Sequence, residues 1–183
     1  MVVDFRKNSA PATPITLCDS TIDTVESFRF LGTIISQDLK WELNINSLTK
    51  KAQQRLYFLW QLKKFNLPRT MMVQFYSSII ESILTSSITI WYAGATAKDK
   101  SRLQCVIRSA EKVIGCNLPS LQDLYASRTL RRAGKIVADP SHPSHGLFQT
   151  LPSGRRLRSI RTKTSHHKNS FSPICYQPYE QGQ

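Results

Sequence analysis

The chain has 183 residues and a mass of 20.9 kDa, which corresponds to one domain or one domain with an appendage. The formal charge is +13 and the isoelectric point is near 9.9, which favours a polyanionic partner. A hydrophobic content of 40% excludes a chain that is disordered throughout. The most apolar stretch, residues 79–93, is interrupted by Glu81 and by several serines and threonines, so we expect no transmembrane helix. The N-terminus carries no apolar signal segment, and we therefore expect an intracellular protein, nuclear or cytoplasmic.

The basic residues are concentrated downstream of residue 50. Residues 1–50 carry a net charge of −1, whereas residues 51–118 and 119–183 each carry +7. We divide the chain into a β segment at 1–38, a helical domain at 39–138 and a basic tail at 139–183. The tail is rich in Ser, Pro and His and poor in aliphatic residues, which predicts a largely disordered segment.

The first 36 residues contain short runs of β-branched and aromatic residues, which predict two or three antiparallel strands. The sequence from Cys18 to Ile22 is typical of a tight hairpin, and the run from Phe28 to Ser36 predicts one mostly buried strand. A small isolated sheet is marginal in water, so we expect the strands to pack on the helices or on a missing part. The predicted strands are residues 2–5, 15–18, 21–25 and 28–35.

From residue 44 the apolar spacing becomes helical and predicts four helices. The first has a basic side and ends at Asn66-Leu-Pro68, and the second, over 69–92, is predicted to be the central packed helix. The third covers 98–114 with Gly115 as its stop, and the fourth starts at Ser120 and runs to about Val137. The predicted fold is therefore α+β, with a small antiparallel β segment, a four-helix layer and a basic tail.

Three basic clusters are candidate nucleic-acid contacts. The clusters on the first and fourth helices are equally well explained as solvated helix faces. The third cluster lies in the acid-free stretch between Asp139 and Glu180, where unpaired positive charge favours counterion release from a phosphate backbone. Its alternative is a nuclear-localisation or solubilising tail. The candidates are Lys50, Lys51, Arg55, Lys63 and Lys64; Arg128, Arg131 and Arg132; and Arg155, Arg156, Arg158, Arg161, Lys163 and Lys168.

The sequence offers little for catalysis or metal binding. The four cysteines are scattered and predict free, mostly buried thiols, and the histidines with Cys175 match no paired zinc framework. The chain has no phosphate-binding glycine loop, no nucleophile elbow and no paired acids of the kind that hold two Mg²⁺ ions. We therefore expect no catalytic residue, no metal, no cofactor and no enzymatic activity.

Several segments resemble one family over nearly the whole chain. They are residues 2–7, 28–41, 50–59, 62–65, 151–156 and 168–171. Together they resemble the C-terminal part of the reverse transcriptase of LINE-type, non-LTR retrotransposons, and the block from Phe30-Leu-Gly to Leu39-Lys-Trp41 is the most specific element. The resemblance implies that residues 1–36 are the end of a palm and that the helices after Trp41 form a thumb, which follows template and primer backbones. The Ala-Asp-Asp motif of that family is absent here, so the resemblance implies a non-catalytic remnant.

A second resemblance covers residues 28–65, which are similar to the short N-terminal domain of AlkB homologues, enzymes of alkylated-DNA repair and tRNA modification. That family implies 2-oxoglutarate-dependent dioxygenase and methyltransferase activity. The dioxygenase needs an iron triad of His-x-Asp and a distant His, and the methyltransferase needs a Gly-rich donor site. No histidine of this sequence begins a His-x-Asp motif: the four are followed by Pro-Ser, Gly-Leu, His-Lys and Lys-Asn. We therefore interpret the resemblance as a shared segment without that chemistry.

The main hypothesis is thus a non-catalytic module that binds the backbone of RNA or DNA with little sequence preference. The alternative is an AlkB-homologue-like protein with dioxygenase or methyltransferase activity. A third hypothesis is a structural role, in which exposed β edges favour self-association.

Overall fold

Two short β-hairpins precede a set of helices in the computed structural model, which describes residues 1–3, 14–148 and 152. The predicted α+β class is confirmed. No helix in this described part of the chain is both long enough and apolar enough to cross a membrane.

The first hairpin pairs β1 (Thr16–Leu17) with β2 (Ser20–Thr21) in antiparallel register. Cys18 and Asp19 form its turn with φ values of 47° and 60°. A two-residue turn with both central residues at positive φ matches the twist of the flanking strands. The hairpin predicted at this position is confirmed, although residues 22–25 lie outside any strand. The strand predicted at residues 2–5 is absent at 2 and 3, and residues 4 and 5 lie outside the described residues.

The second hairpin corrects the prediction of one buried strand over 28–36. β3 (Ser27–Phe30) and β4 (Thr33–Ser36) pair in antiparallel register around a turn at Leu31 and Gly32. Leu31 has φ 46° and Gly32 has φ 85°, and glycine adopts this region without a steric cost. All four residues of β3 are exposed, whereas β4 buries Thr33 and Ser36. Within the described residues β3 pairs with β4 alone, and self-association through its other edge stays a prediction.

Two polar contacts hold β4 against the helices. The backbone N–H of Ile34 donates to Oδ1 of Asn44, 3.0 Å away, and Asn44 is 1% exposed. The hydroxyl of Thr33 donates to Oγ of Ser87 at 3.1 Å. The expectation that the small sheet packs on the helices is therefore confirmed for β4.

Helix α1 (Glu42–Lys64) has 23 residues and is the longest in the described part of the chain. Its first half buries Asn44, Ile45, Leu48, Thr49 and Ala52, and its second half buries only Leu59. The helix ends at the predicted place, because Asn66 takes φ 55° and Pro68 opens the next helix.

The predicted second helix over 69–92 is interrupted. α2 (Arg69–Phe75) continues through a π-helical segment (Tyr76–Glu81) into α3 (Ser82–Leu84), and α4 (Ile88–Trp91) follows a break at which Ser87 takes φ 50°. Serine and threonine hydroxyls offer the backbone alternative hydrogen bonds here. Ser82 Oγ donates to the Ser78 carbonyl oxygen at 2.7 Å, and Thr85 Oγ1 donates to the Glu81 carbonyl oxygen at 2.6 Å. This polar run explains why the apolar periodicity does not produce one continuous helix.

The third and fourth predicted helices are confirmed as α5 (Ala97–Ile114) and α6 (Leu121–Ala138). Gly115 ends α5 with φ 79°, and its N–H donates to the Glu111 carbonyl oxygen. Ser120 caps α6, since its Oγ accepts from the N–H of Asp123, as predicted. A 3₁₀ turn, His145–Leu147, follows α6.

The hydrophobic core lies between α1, the interrupted helix, α5 and the start of α6. Its fully buried side chains include Ile45, Leu59, Ile80, Trp91, Leu103 and Ile107. The prediction of mostly buried cysteines is wrong for the described positions: Cys18 and Cys105 are exposed and Cys116 is half-buried. Cys175 lies outside the described residues.

Candidate nucleic-acid interface

The second half of α1 projects an extensive surface into solvent. Leu59 is its single buried residue, while Leu56 and Leu62 are half-buried. The sequence from residue 43 to residue 80 contains six basic residues and no acidic residue. This stretch of the sequence therefore carries positive charge and no acidic residue of its own.

Four of the five predicted basic residues of α1, Lys50, Arg55, Lys63 and Lys64, are exposed, and Lys51 is half-buried. The ion pairs found across residues 14–148 join Lys40 with Asp38, Arg102 with Asp99 and Arg128 with Glu81. None of them uses a basic residue of α1. Lys63 and Lys64 lie in the last turn, where positive charge also interacts favourably with the helix dipole. Both side chains are exposed, so this local interaction leaves their charges available to a partner as well.

Sequence reasoning missed the aromatic residues of this surface. Tyr57 is 62% exposed, Phe58 47%, Trp60 65% and Phe65 74%. Aromatic residues in an amphipathic helix are usually read as core, and here the core register is set by Ile45, Leu48, Ala52 and Leu59 instead. Placing the aromatic residues on that register would have assigned them to the solvent side. The combination of exposed aromatic rings and basic side chains is typical of proteins that bind single-stranded nucleic acid.

Part of this surface is a connected cluster. The Arg55 guanidinium carbon lies 5.8 Å from the centre of the Phe58 ring, in a cation–π arrangement. The rings of Phe58 and Tyr57 meet edge to face, with centroids 5.7 Å apart. Positive charge and aromatic surface are thus adjacent in space as well as in sequence.

The predicted cluster on α6 is partly used within the fold. Arg128 Nη1 donates to the Thr85 carbonyl oxygen at 3.2 Å, and its Nη2 lies 3.9 Å from Glu81 Oε1. Arg132 Nη1 donates to Oγ1 of Thr89 at 3.2 Å. Both arginines therefore attach α6 to the interrupted helix, and Arg131 is exposed.

The tail candidates are not placed by the structure. Arg155, Arg156, Arg158, Arg161, Lys163 and Lys168 lie outside the described residues. Their role in nucleic-acid binding stays a prediction.

Two titratable groups in the described part of the chain have pKa values shifted away from neutral pH. An open cleft of about 410 Å³ is lined by Glu26, Ser36, Gln37, Asp38, Lys40, Glu42 and Leu43. Hydrogen bonds from the Ser36 hydroxyl and the Lys40 backbone N–H lower the pKa of Asp38 to about 2, so this carboxylate stays ionised. Burial, and then the charges of Glu81 and Glu111, raise the pKa of Tyr76, so its hydroxyl stays protonated.

Metal ligands are also not assembled in the described part of the chain. It contains no group of three or more His, Cys, Asp or Glu residues placed to hold a metal ion. Its two histidines lie just after α6. His142 Nδ1 accepts from the Ser144 backbone N–H at 3.0 Å, and His145 Nδ1 lies 3.1 Å from the Ile136 carbonyl oxygen.

Comparison with protein families gives a match that covers a minority of the chain. The family described as alkylated DNA repair protein alkB homolog 8, N-terminal, matches residues 41–82. These residues are α1, α2 and the π-helical segment, and they include the basic and aromatic surface of α1. The match shares residues 41–65 with the AlkB-homologue resemblance expected from the sequence at 28–65. No curated protein and no solved structure matches the chain, and none of these comparisons supports the reverse-transcriptase resemblance.

Proposed function

We propose that this chain is a non-catalytic module that binds the backbone of RNA or DNA along the exposed face of α1. The observation that carries the proposal is the basic surface of α1, which has no acidic residue after Glu42 and lies inside the segment matched by the alkB homolog 8 N-terminal family. That family is named for alkylated DNA repair, and the matched part is its N-terminal region. A nucleic-acid partner agrees with the DNA named in that description.

The expected mechanism is electrostatic. Lys50, Arg55, Lys63 and Lys64 would approach phosphates and release condensed counterions, which favours binding with little sequence preference. Arg131 and the tail residues Arg155 and Arg156 would add further phosphate contacts. Affinity should therefore fall steeply with salt concentration.

The finer proposal is that this module is a remnant of a LINE-type reverse transcriptase. Its support is the sequence resemblance together with the order of elements, in which small β-hairpins precede the helices. In that case the face of α1 would do what a thumb does and follow a nucleic-acid backbone.

The second candidate is the oxidative or methyl-transfer chemistry of AlkB homologues, and the family match favours it. An iron site of that kind needs two histidines and a carboxylate that converge. The described residues do not fit one, because they bring no group of three or more His, Cys, Asp or Glu side chains together where a metal ion could be held.

The test of binding is fluorescence anisotropy of a labelled RNA strand, a DNA strand and an RNA–DNA hybrid at several salt concentrations. The triple variant Lys50→Gln, Lys63→Gln, Lys64→Gln should bind more weakly and reduce the salt slope by about 2 for a single strand. The matched control changes three exposed basic residues of α5, Lys98, Arg108 and Lys112, to Gln and should keep more of the affinity. Equal losses of affinity in the two variants would show that α1 is not the specific binding site.

Enzymatic activity is tested separately. Turnover of 2-oxoglutarate, or binding of iron or a methyl donor in calorimetry, would support the second candidate. A sample that binds nucleic acid but shows neither turnover of 2-oxoglutarate nor binding of iron or a methyl donor would exclude the second candidate.

A further inference from the structure

We propose that the α1 face selects single-stranded nucleic acid by stacking unpaired bases on Tyr57 and Trp60. This inference rests on the proposed function, since it names the class of nucleic acid that the same face takes.

The first support is the arrangement along the helix. Lys50, Tyr57, Trp60 and Lys64 follow one another at intervals of seven, three and four residues, which places them on one face of α1. At a rise of 1.5 Å per residue this face extends over roughly 21 Å. Two aromatic rings are therefore flanked by a positive charge on either side along the helix.

The second support is exposure. Tyr57 and Trp60 leave 62% and 65% of their surface to solvent, and Phe58 extends the aromatic surface beside Tyr57. Aromatic surface left in water is unfavourable, and a base that stacks on it removes that surface from water. The faces of bases are available in a single strand and are hidden by stacking in a duplex.

The third support is charge, which favours an anionic occupant over an apolar protein surface. An apolar partner would have to desolvate Lys50, Arg55 and Lys64, and no acidic residue of α1 beyond Glu42 would compensate that charge. A nucleic-acid strand supplies flat apolar rings and negative phosphates together. It is the occupant whose chemistry fits both components of this face.

The fluorescence of Trp60 also gives a direct measure of base stacking. The three tryptophans of the chain are Trp41, which is half-buried, Trp60, which is exposed, and Trp91, which is 0% exposed. Stacking on Trp60 should quench its fluorescence and protect it from a soluble quencher. The buried Trp91 should change little.

The experiment compares three probes of equal length at low salt: an intact single strand, made both as RNA and as DNA, an abasic single strand and a blunt duplex. The abasic strand keeps the phosphates and lacks the bases, so it isolates the electrostatic part of binding. The intact strand should bind about tenfold more tightly than the abasic strand and should quench Trp60. The variant Tyr57→Ala, Trp60→Ala should lose that difference while it keeps its affinity for the abasic strand.

Two controls keep the result interpretable. Phe28→Ala removes an aromatic side chain that is 53% exposed on β3 and should leave the preference unchanged. Trp60→Phe, made in the otherwise wild-type chain, keeps an aromatic ring and should retain most of the preference for the intact strand over the abasic strand. Circular dichroism confirms that each variant is folded.

The outcomes separate this inference from the proposed function. Equal affinity for intact and abasic strands, without quenching of Trp60, would overturn base stacking and leave backbone binding intact. A duplex that binds as tightly as the intact strand would also overturn the selectivity. No binding of any probe by the folded protein would overturn both proposals.

Discussion

Arg128 Nη1 donates a hydrogen bond to the carbonyl oxygen of Thr85, 3.2 Å away and 43 residues earlier in the chain. Thr85 caps the C-terminus of α3, just before the helix breaks, and its carbonyl oxygen also accepts from the Ile88 backbone N–H at 3.2 Å. The same guanidinium approaches Glu81 at 3.9 Å. One arginine of α6 therefore stabilises the interruption of the preceding helix.

Replacing Arg128 should consequently affect stability. Arg128→Ala should lower the free energy of unfolding by about 1 kcal/mol, since a charged donor is lost from a side chain that is 45% exposed. Arg131→Ala, at an exposed position of the same helix, should change it by less than about 0.5 kcal/mol. Urea unfolding of both variants measures the difference, and equal stabilities would contradict a structural role for Arg128.

Asn44 connects β4 to α1 and gives a second test. Asn44→Ala removes the acceptor of the Ile34 N–H and should cost about 1–2 kcal/mol, because a partly buried donor loses its partner. The amide exchange rate of Ile34 should rise more than that of residues in α5. Leu43→Ala, at a 51% exposed neighbour, is the control. An unchanged Ile34 exchange rate in Asn44→Ala would show that the hairpin does not depend on this contact.

Two glycines should respond in opposite directions. A Cβ at Gly94 would lie 3.0 Å from Cδ1 of Trp41, so Gly94→Ala should displace the indole, cost about 1–2 kcal/mol and shift the Trp41 emission. Nothing lies within 4 Å of a Cβ at Gly134 inside α6, so Gly134→Ala should raise stability by up to about 1 kcal/mol. Thermal unfolding of the pair provides the check, and destabilisation by both substitutions would contradict the packing described here.

The Asp38 carboxyl should contribute to the loss of folding stability at acid pH. The Ser36 hydroxyl, first, and the Lys40 backbone N–H lower its pKa from 3.8 to about 2 in the folded chain. A carboxyl with a lowered pKa contributes stability in full above pH 4 and loses that contribution as the pH falls from about 4 to about 2. In Asp38→Asn the free energy of unfolding should therefore fall less steeply with pH in that window. Ser36→Ala should have the same effect to a smaller extent. An Asp38→Asn profile with the wild-type slope would show that this carboxyl does not contribute.

The sequence predicted the elements whose signals are local. The C-terminal stop at Gly115 and the cap at Ser120 mark α5 and α6 correctly, since both depend on residues within one turn. The turn at Leu31 and Gly32 was missed because the apolar run around it is also typical of one buried strand. The break near Ser87 was missed because apolar periodicity continues through it, and because its contacts come from elsewhere in the chain: Thr33 bonds the Ser87 hydroxyl, and Arg128 bonds the Thr85 carbonyl oxygen.

The candidate interface was predicted only in its charged component. Lys50 and Lys64 are visible as basic residues in a helix, whereas the exposure of Tyr57 and Trp60 depends on which apolar residues of α1 face the core. The structure identifies these as Ile45, Leu48, Ala52 and Leu59, and placing the aromatic residues on that register puts them on the solvent side. The division of the chain at residues 38 and 138, and the roles of the tail arginines, stay predictions.

The most direct test of the central claim is ultraviolet cross-linking of the full chain to a single strand, followed by peptide mapping of the attachment sites. We expect cross-links in the segment between Arg55 and Lys64, where Tyr57, Phe58 and Trp60 are exposed. The cross-links should disappear at high salt together with binding. Cross-links found only outside α1, in a chain that binds the strand, would contradict the assignment of this helix as the nucleic-acid interface.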